Sequence, residues 1–309
     1  MDLIEILRRR IDALDVGAHT PGLRAVLQHV EVAEKHLVRG TEDPDDSAFT
    51  DAIYRTNQAF EGSLKEAFRV LARKDPDKVR PFEIEGFLQE QSILRSRVLD
   101  QMSRYRTEWR NPSTHDYKLD FDEDEALLAI ASVCAFAIVL LDQITEKLNF
   151  DRAKAAAPPT SDSKDVTKPL AEAVAEAVLG FRYRPTAGGT VGPAREVELV
   201  GALAGHLETV VSGTKIQSEA RLSRDRAERA DLLVERDGER VILEVKRSRF
   251  SQSTPPVGLS QMAHYVALSG IRDAILYLFQ DAANSEMERK NYPLPNDGRI
   301  IVIGPKRKR

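Results

Sequence analysis

The sequence predicts two domains of different fold class, an N-terminal all-α helical bundle and a C-terminal α/β domain with a mixed central sheet. Over residues 1–150, apolar side chains recur at three- and four-residue steps, the period of an amphipathic helix. Residues 154–169 are rich in Ala, Pro and Ser, which is typical of a linker. Beyond them, short runs of Val, Ile and Leu alternate with helical patterns. The predicted domains are therefore 1–153 and 170–309, joined by that linker.

The N-terminal helices are predicted from this periodicity and from the segments that interrupt it. A charged segment with two prolines, 74–81, separates the third helix from the fourth. Pro112 is expected to end the fourth helix near Asn111, because the residue before a proline disfavours the helical conformation. Arg110 and His115 would then lie on a turn between two helices. The predicted helices cover residues 3–14, 22–39, 51–73, 82–109 and 122–150.

The C-terminal half begins with two helical patterns and continues with short apolar runs typical of strands. Asp237-Gly238 lies between two such runs and predicts a tight hairpin. The element order indicates a mixed sheet. We expect helices over 169–180, 194–213 and 257–269, and strands over 214–222, 230–236, 241–247, 274–280 and 299–305.

Composition places the chain among soluble globular proteins. Of its 309 residues 42% are hydrophobic and 30% are charged. Residues 1–150 carry a net charge of −8 and residues 151–309 one of +4, so a phosphate-rich partner is expected to bind the second half. A single cysteine excludes a disulfide within one chain. The most apolar run, 126–141, is short for a membrane span, and no signal region is evident. We expect a cytoplasmic protein without a membrane partner.

The hairpin carries the clearest chemical pattern. Glu244 and Lys246 are two apart on a predicted strand and so project from one face. Hairpin pairing brings Asp231, at the start of the preceding strand, beside them. Two adjacent carboxylates form an oxygen-lined site suited to Mg²⁺. A cation held there polarises a phosphate and lowers the pKa of a bound water. A solvated ion pair is the alternative interpretation of Glu-x-Lys alone.

This arrangement, over about residues 170–309, resembles the PD-(D/E)xK nuclease superfamily, although Ala230 stands where a proline often precedes the aspartate. Gln261 and Tyr265, four apart on the following helix, are similar to the Gln-xxx-Tyr signature of its RecB-like branch. The resemblance implies a nuclease that uses Mg²⁺ or Mn²⁺, with Lys246 and Gln261 in the catalytic site. It also implies a third carboxylate on the upstream helix, Glu198 or, as the alternate, Glu196. The implied metal ligands are Glu198, Asp231, Glu244 and Val245.

The helical domain has a second pattern, Arg110-Asn111-x-x-x-His115. A histidine exchanges protons near neutral pH, and an arginine holds a phosphate through two donors. Together they suit RNA cleavage by the 2′-hydroxyl without a metal. The pair could instead simply hold the loop together.

Over about residues 1–150 this pattern resembles the HEPN family, whose arginine and histidine lie between late helices of a small bundle. The resemblance implies a cofactor-free endoribonuclease and a homodimer through the helical domain, with Asn111 as the polar partner of Arg110. Ser113 and Glu108 are possible helpers.

Three enzymatic hypotheses follow: two nuclease sites acting on RNA and DNA, a Mg²⁺-dependent nuclease whose helical domain is a dimerisation module, or an RNase whose second domain binds nucleic acid. A non-catalytic nucleic-acid-binding regulator is the fourth. By analogy, two nuclease sites would suit a bacterial antiphage defence effector or toxin under the control of an unknown partner or trigger.

Overall fold

The computed structural model describes residues 2–43, 45–115, 118–156, 168–183, 194–223, 227–247, 255–279, 286–295 and 297–306. The chain divides into two compact units. The helical unit comprises residues Met1–Lys147, and the α/β unit comprises Leu148–Pro185 and Pro193–Arg309, while residues 186–192 lie outside the described part. An N-terminal helical region precedes a mixed sheet, as the sequence predicts, and the sheet has one strand more than the five expected. Most of the predicted linker, 157–167, also lies outside the described part.

The helical unit packs around aromatic side chains contributed by distant helices. Phe60 stacks on Tyr105, with ring centroids 4.7 Å apart, and contacts Phe136 at 5.0 Å. All three are almost fully buried, because the apolar stripes of their helices face one core. The helices are α1 (Leu3–Asp12), α2 (Thr20–Glu42), α3 (Ser47–Leu71), α4 (Pro81–Glu90), α5 (Ser96–Tyr105), a π-helical turn (Arg106–Arg110), α6 (Asn111–His115) and α7 (Glu123–Ala156), which continues past Lys147 into the α/β unit.

The single helix predicted over 82–109 is wrong, because the chain turns between α4 and α5. Gln143 on α7 donates to the carbonyl of Ile93 at 2.7 Å and accepts from the main-chain N–H of Arg95 at 3.2 Å. Arg95 also pairs with Glu146, at 2.5 Å. These contacts come from residues about fifty positions away, and helical periodicity does not encode them.

Helix α7 is longer than the apolar run that marks it in the sequence. By length and composition alone it could cross a bilayer, but half of its most apolar window is buried inside the structure. The core helix of a soluble protein has the same character, so this helix does not decide between the two environments.

The α/β unit contains α8 (Leu170–Gly180), α9 (Glu196–Val210), β1 (Lys215–Arg221), β2 (Arg229–Arg236), β3 (Glu239–Arg247), α10 (Pro255–Ser269), β4 (Asp273–Phe279), β5 (Met287–Pro293) and β6 (Arg299–Pro305). The strand order is β1-β2-β3-β4-β6-β5. β3, β4 and β6 are parallel, whereas β1-β2, β2-β3 and β5-β6 are antiparallel. Helices α8 and α9 pack on one face and α10 on the other.

Two details of the sheet bear on the sequence predictions. The Asp237-Gly238 hairpin is confirmed, with φ of 49° and 85° at its two residues, both in the left-handed region that a tight turn of this kind requires. Strand β5 was missed, because MERKNYP is a polar edge strand without a run of apolar residues.

Candidate functional site

The carboxylates of Asp231 and Glu244 meet where β2 and β3 stop pairing through the backbone. The regular ladder ends at Leu232 opposite Leu243. One step further, the main-chain N–H of Val245 donates to Asp231 Oδ2 at 2.7 Å, and the N–H of Asp231 points to Glu244 Oε2 at 3.4 Å. The two side chains thus replace backbone acceptors, and the strands can separate without leaving these donors unsatisfied.

The alternation of side chains between the two faces of the sheet is interrupted in β2 at Asp231. Residues two apart on a regular strand share a face, yet Leu232 packs on the α8–α9 side and Ala230 on the α10 side. On the neighbouring strand, Glu219 adopts φ of 47° between the paired residues Ser218 and Ala220. A left-handed residue other than glycine costs roughly 1–2 kcal/mol, and such strain is typical of functional sites.

Glu244 and Lys246 project from one face of β3, as their spacing predicts. That face is the one covered by α10. Lys246 Nζ lies 2.7 Å from Glu244 Oε1. Gln261 on α10 donates to the same oxygen at 3.0 Å and contacts the Tyr265 hydroxyl at 2.7 Å. Glu244 is 3% exposed, whereas the Lys246 side chain is 37% exposed. The structure therefore brings Asp231, Glu244, Lys246 and Gln261 together at one end of the hairpin.

Burial and crowding of like charges dominate the electrostatics of this cluster. Burial, followed by the charge of Glu244, raises the pKa of Asp231 well above its usual range, and the Val245 N–H and Lys246 only partly oppose this. Burial alone would lower the pKa of Lys246, but its contacts with Glu244 raise it above the usual value. A bound cation would remove the repulsion between the carboxylates, so this donor set fits a hard divalent ion.

The two candidate carboxylates of the upstream helix, Glu198 and the alternate Glu196, have different surroundings. Glu198 accepts from the main-chain N–H of Arg195 at 3.0 Å and from the Tyr183 hydroxyl at 3.2 Å, so it caps the first turn of α9. Glu196, the alternate, is exposed and acts electrostatically on both Asp231 and Lys246. Within the described ranges, no group of three or more His, Cys, Asp or Glu side chains converges tightly enough to hold a metal.

In the helical unit, the predicted turn at Pro112 is wrong. The backbone continues from α5 through a π-helical turn into α6, and the N–H of Asn111 donates to the carbonyl of Arg106 five residues earlier. Pro112, the second residue of α6, has no N–H to donate to a carbonyl of the preceding π-helical turn. A π-helical turn inside a helix is frequent at functional sites.

Arg110 and His115 occupy different environments at the two ends of this segment. Arg110 lies 3.4 Å from Glu61 Oε1 and 3.5 Å from Asn111 Oδ1. His115 is exposed at the end of α6. Residues five apart on a helical backbone point about 140° away from each other. Within one chain, the segment therefore presents the two side chains in different directions.

A buried polar network anchors this segment to α3. The Tyr105 hydroxyl lies 2.7 Å from Thr56 Oγ1 and 3.0 Å from Asn57 Oδ1. Asn57 Nδ2 donates to Ser113 Oγ at 2.7 Å, and that hydroxyl donates to the Arg110 carbonyl at 3.1 Å. Sequence reasoning found Ser113 as a possible helper but missed Asn57, Tyr105 and Glu61, for which no local pattern exists. Glu108 is exposed, and the structure gives it no part in the network.

Comparison with known protein families, characterised proteins and solved structures finds no match to this chain.

Proposed function

We propose that this chain is a nuclease with two sites. One is a Mg²⁺- or Mn²⁺-dependent phosphodiesterase site in the α/β unit, acting on DNA, and the other is a metal-independent endoribonuclease site in the helical unit. The observation that carries the proposal is the convergence of Asp231, Glu244, Lys246 and Gln261 where β2 and β3 part. The cluster combines the carboxylates of Asp231 and Glu244 with the ammonium group of Lys246. The amide of Gln261 orients the Glu244 carboxylate.

The residues of the α/β unit divide the work. Asp231, Glu244 and the carbonyl of Val245 would hold the cation, which supplies Lewis-acid activation of a phosphate and of a water. Gln261 fixes the orientation of the Glu244 carboxylate. Lys246, partly exposed beside Glu244, would orient the attacking water or balance charge that develops on the phosphate.

In the helical unit, Arg110 would stabilise the charge on the phosphate and His115 would exchange the proton of the 2′-hydroxyl. Their divergent directions within one chain favour a composite site in which two copies contribute, so the proposal includes a homodimer through this unit. We further propose a cytoplasmic location and a role in antiphage defence or as a toxin, the analogy that two nuclease sites suggest.

A second candidate function is a single-activity Mg²⁺-dependent nuclease whose helical unit serves only for interaction. It is favoured by the Arg110–Glu61 pair, because a carboxylate 3.4 Å away offsets the charge that Arg110 would offer to a phosphate.

The deciding experiment incubates purified protein with labelled single-stranded RNA, tRNA and plasmid DNA, each in Mg²⁺ and in EDTA. We expect RNA cleavage that persists in EDTA and is lost in His115→Ala. We expect DNA cleavage that requires Mg²⁺ and is lost in Asp231→Ala. His264→Ala and Glu235→Gln are matched controls, since His264 is another exposed histidine and Glu235 lies four residues beyond Asp231 on β2.

The pattern of loss separates the alternatives. Cleavage only with Mg²⁺, unaffected by His115→Ala, would support the single-activity nuclease. RNA cleavage in EDTA that is unaffected by Asp231→Ala, without DNA cleavage, would leave the α/β unit as a binding module. Binding without any product would support the regulator.

A further inference from the structure

A cavity of about 280 Å³ opens between α2 and α3 in the helical unit, and none of the candidate catalytic residues lines it. Its lining side chains are polar or aromatic, and none is aliphatic. Ligand sites of this kind usually contain an apolar surface and a few fixed polar groups. The lining residues are His36, Asp51, Tyr54, Arg55 and Gln58.

Tyr54 supplies the apolar surface. Its side chain is 50% exposed, which is unusual for a large aromatic residue in the described part of the chain. An exposed aromatic ring at the edge of a polar cavity is a stacking platform for an unpaired nucleobase, and every base offers a π-face to such a ring.

Asp51 supplies a fixed acceptor. Its Oδ2 lies 3.3 Å from the Arg39 guanidinium and 3.9 Å from His36 Nδ1, so two side chains of α2 restrict the carboxylate. A carboxylate held in this way accepts a hydrogen bond from an exocyclic amino group of a base. Gln58 is in turn held by Arg55, which donates to its Oε1 at 3.0 Å and keeps its own positive charge at the cavity.

The cavity adjoins the Arg110 segment through α3. Tyr54, Gln58 and Glu61 are spaced i, i+4 and i+7, so they form one stripe that spans about 10 Å along the helix. Glu61 at the end of the stripe is the partner of Arg110. A ribonucleotide strand whose phosphate reaches Arg110 can therefore place a neighbouring base over Tyr54.

We propose that this cavity binds a nucleobase of the RNA, stacked on Tyr54 and joined to Asp51 through an exocyclic amino group. The site would favour adenine or cytosine over uracil, which carries no such group. This inference rests on the proposed ribonuclease function for its substrate class, but it concerns binding, and its test does not require cleavage.

The test measures binding of fluorescein-labelled ten-nucleotide oligo(A), oligo(C) and oligo(U) to the full chain carrying His115→Ala, in EDTA. Adding Tyr54→Ala should weaken oligo(A) binding about 5- to 100-fold, whereas Tyr54→Phe should stay within about twofold. Phe82→Ala is the matched control, because Phe82 is a 60% exposed aromatic residue elsewhere in the same unit. Asp51→Ala, which removes the acceptor, should reduce the preference for oligo(A) over oligo(U).

A second arm locates the contact and separates RNA from a free nucleotide. Ultraviolet crosslinking of oligo(A) should label the tryptic peptide 40–55, which contains Asp51 and Tyr54. AMP should compete only at much higher concentration than the oligonucleotide. Competition by AMP at the same concentration would overturn an RNA subsite and assign the cavity to a free nucleotide. Equal binding by Tyr54→Ala and Phe82→Ala, with crosslinks elsewhere, would overturn the site altogether. If oligo(A) binding depends on Tyr54 as expected but the wild-type chain does not cleave RNA, the proposed ribonuclease would be contradicted and the nucleobase site would be retained.

Discussion

The main-chain N–H of Val245 donates to Asp231 Oδ2 at 2.7 Å, so a carboxylate that we propose as a metal ligand also completes the hydrogen bonding between β2 and β3. The same carboxylate is crowded by Glu244, and burial raises its pKa. Burial and Glu244 therefore disfavour a negative charge on Asp231, although the proposed chemistry needs that charge. The Val245 N–H favours the charge but only partly offsets them.

Asp231→Asn should therefore stabilise the α/β unit in the absence of metal. Asparagine keeps an oxygen that can accept from Val245 but removes the charge that burial and Glu244 disfavour. We expect a gain in the free energy of unfolding of order 1 kcal/mol near pH 7, or about 2–4 °C in Tm. Calorimetry in EDTA measures it, and Mg²⁺ should then raise the Tm of the wild type more than that of the variant.

The pH dependence of this gain has a definite sign. Because the pKa of Asp231 is raised in the folded state, its stability contribution is fully present below the ordinary aspartate pKa of about 4 and is lost as pH rises through the folded pKa. The advantage of Asp231→Asn should be absent near pH 4 and grow as pH rises. A variant that is less stable than wild type at pH 7 would refute the repulsion between Asp231 and Glu244.

Variants of Glu196 and Glu198, the two carboxylates in the first turn of α9, should affect metal binding differently. Glu196→Gln should weaken Mn²⁺ affinity about 10-fold, since Glu196 acts on Asp231 and Lys246. Glu198→Ala should leave that affinity near wild type but lower the free energy of unfolding by about 0.5–2 kcal/mol, because it removes a helix cap. Isothermal titration calorimetry measures the Mn²⁺ affinity, and differential scanning calorimetry measures the change in stability. The reverse assignment, with Glu198 controlling affinity, would mean that α9 is capped differently when metal binds.

The sequence carries local information, and the predicted placement of the hairpin side chains is confirmed because local information suffices for it. The period of two on a strand and the Asp-Gly turn together placed Glu244 and Lys246 on one face with Asp231 beside them. The contacts missed by the sequence analysis are tertiary. Glu61 meets Arg110 across 49 positions of the chain, and Asn57 meets Ser113 across 56.

The contact between Asn57 and Ser113 should be a strong stabiliser of the helical unit. Either Asn57→Ala or Ser113→Ala leaves a buried polar group without its partner, which costs about 1–3 kcal/mol. Because the residues share one hydrogen bond, the double variant should cost less than the sum of the single variants. Unfolding is followed by tryptophan fluorescence, which reports this unit because Trp109 is the only tryptophan. Strictly additive losses would show that the two side chains act independently.

Glu172 should stabilise the contact of α8 with β5 and β6 to an extent that depends on pH. Its carboxylate contacts Arg289 at 2.6 and 2.9 Å and Arg299 at 2.7 Å, which joins α8 to β5 and β6. Hydrogen bonding from Arg289 is the largest cause that lowers the pKa of Glu172, to about 2. Burial opposes this shift, whereas the charge of Arg289 and the contacts with Arg299 add to it. Glu172→Gln keeps the shape but removes the charge, and we expect a loss of roughly 1–3 kcal/mol at pH 7.

The sign follows from the lowered pKa of Glu172. Its stabilisation is fully present above the ordinary glutamate pKa of about 4 and is lost as pH falls through the folded value of about 2. Calorimetry should thus show a difference between wild type and Glu172→Gln that is constant near neutrality and disappears toward pH 2. Glu176→Gln is the matched control one turn along α8, because the Glu176 side chain is 59% exposed and forms a surface ion pair with Lys168. Its loss should cost less than about 0.5 kcal/mol. Equal losses in the two variants would show that the arginine contacts of Glu172 add nothing beyond an ordinary surface ion pair.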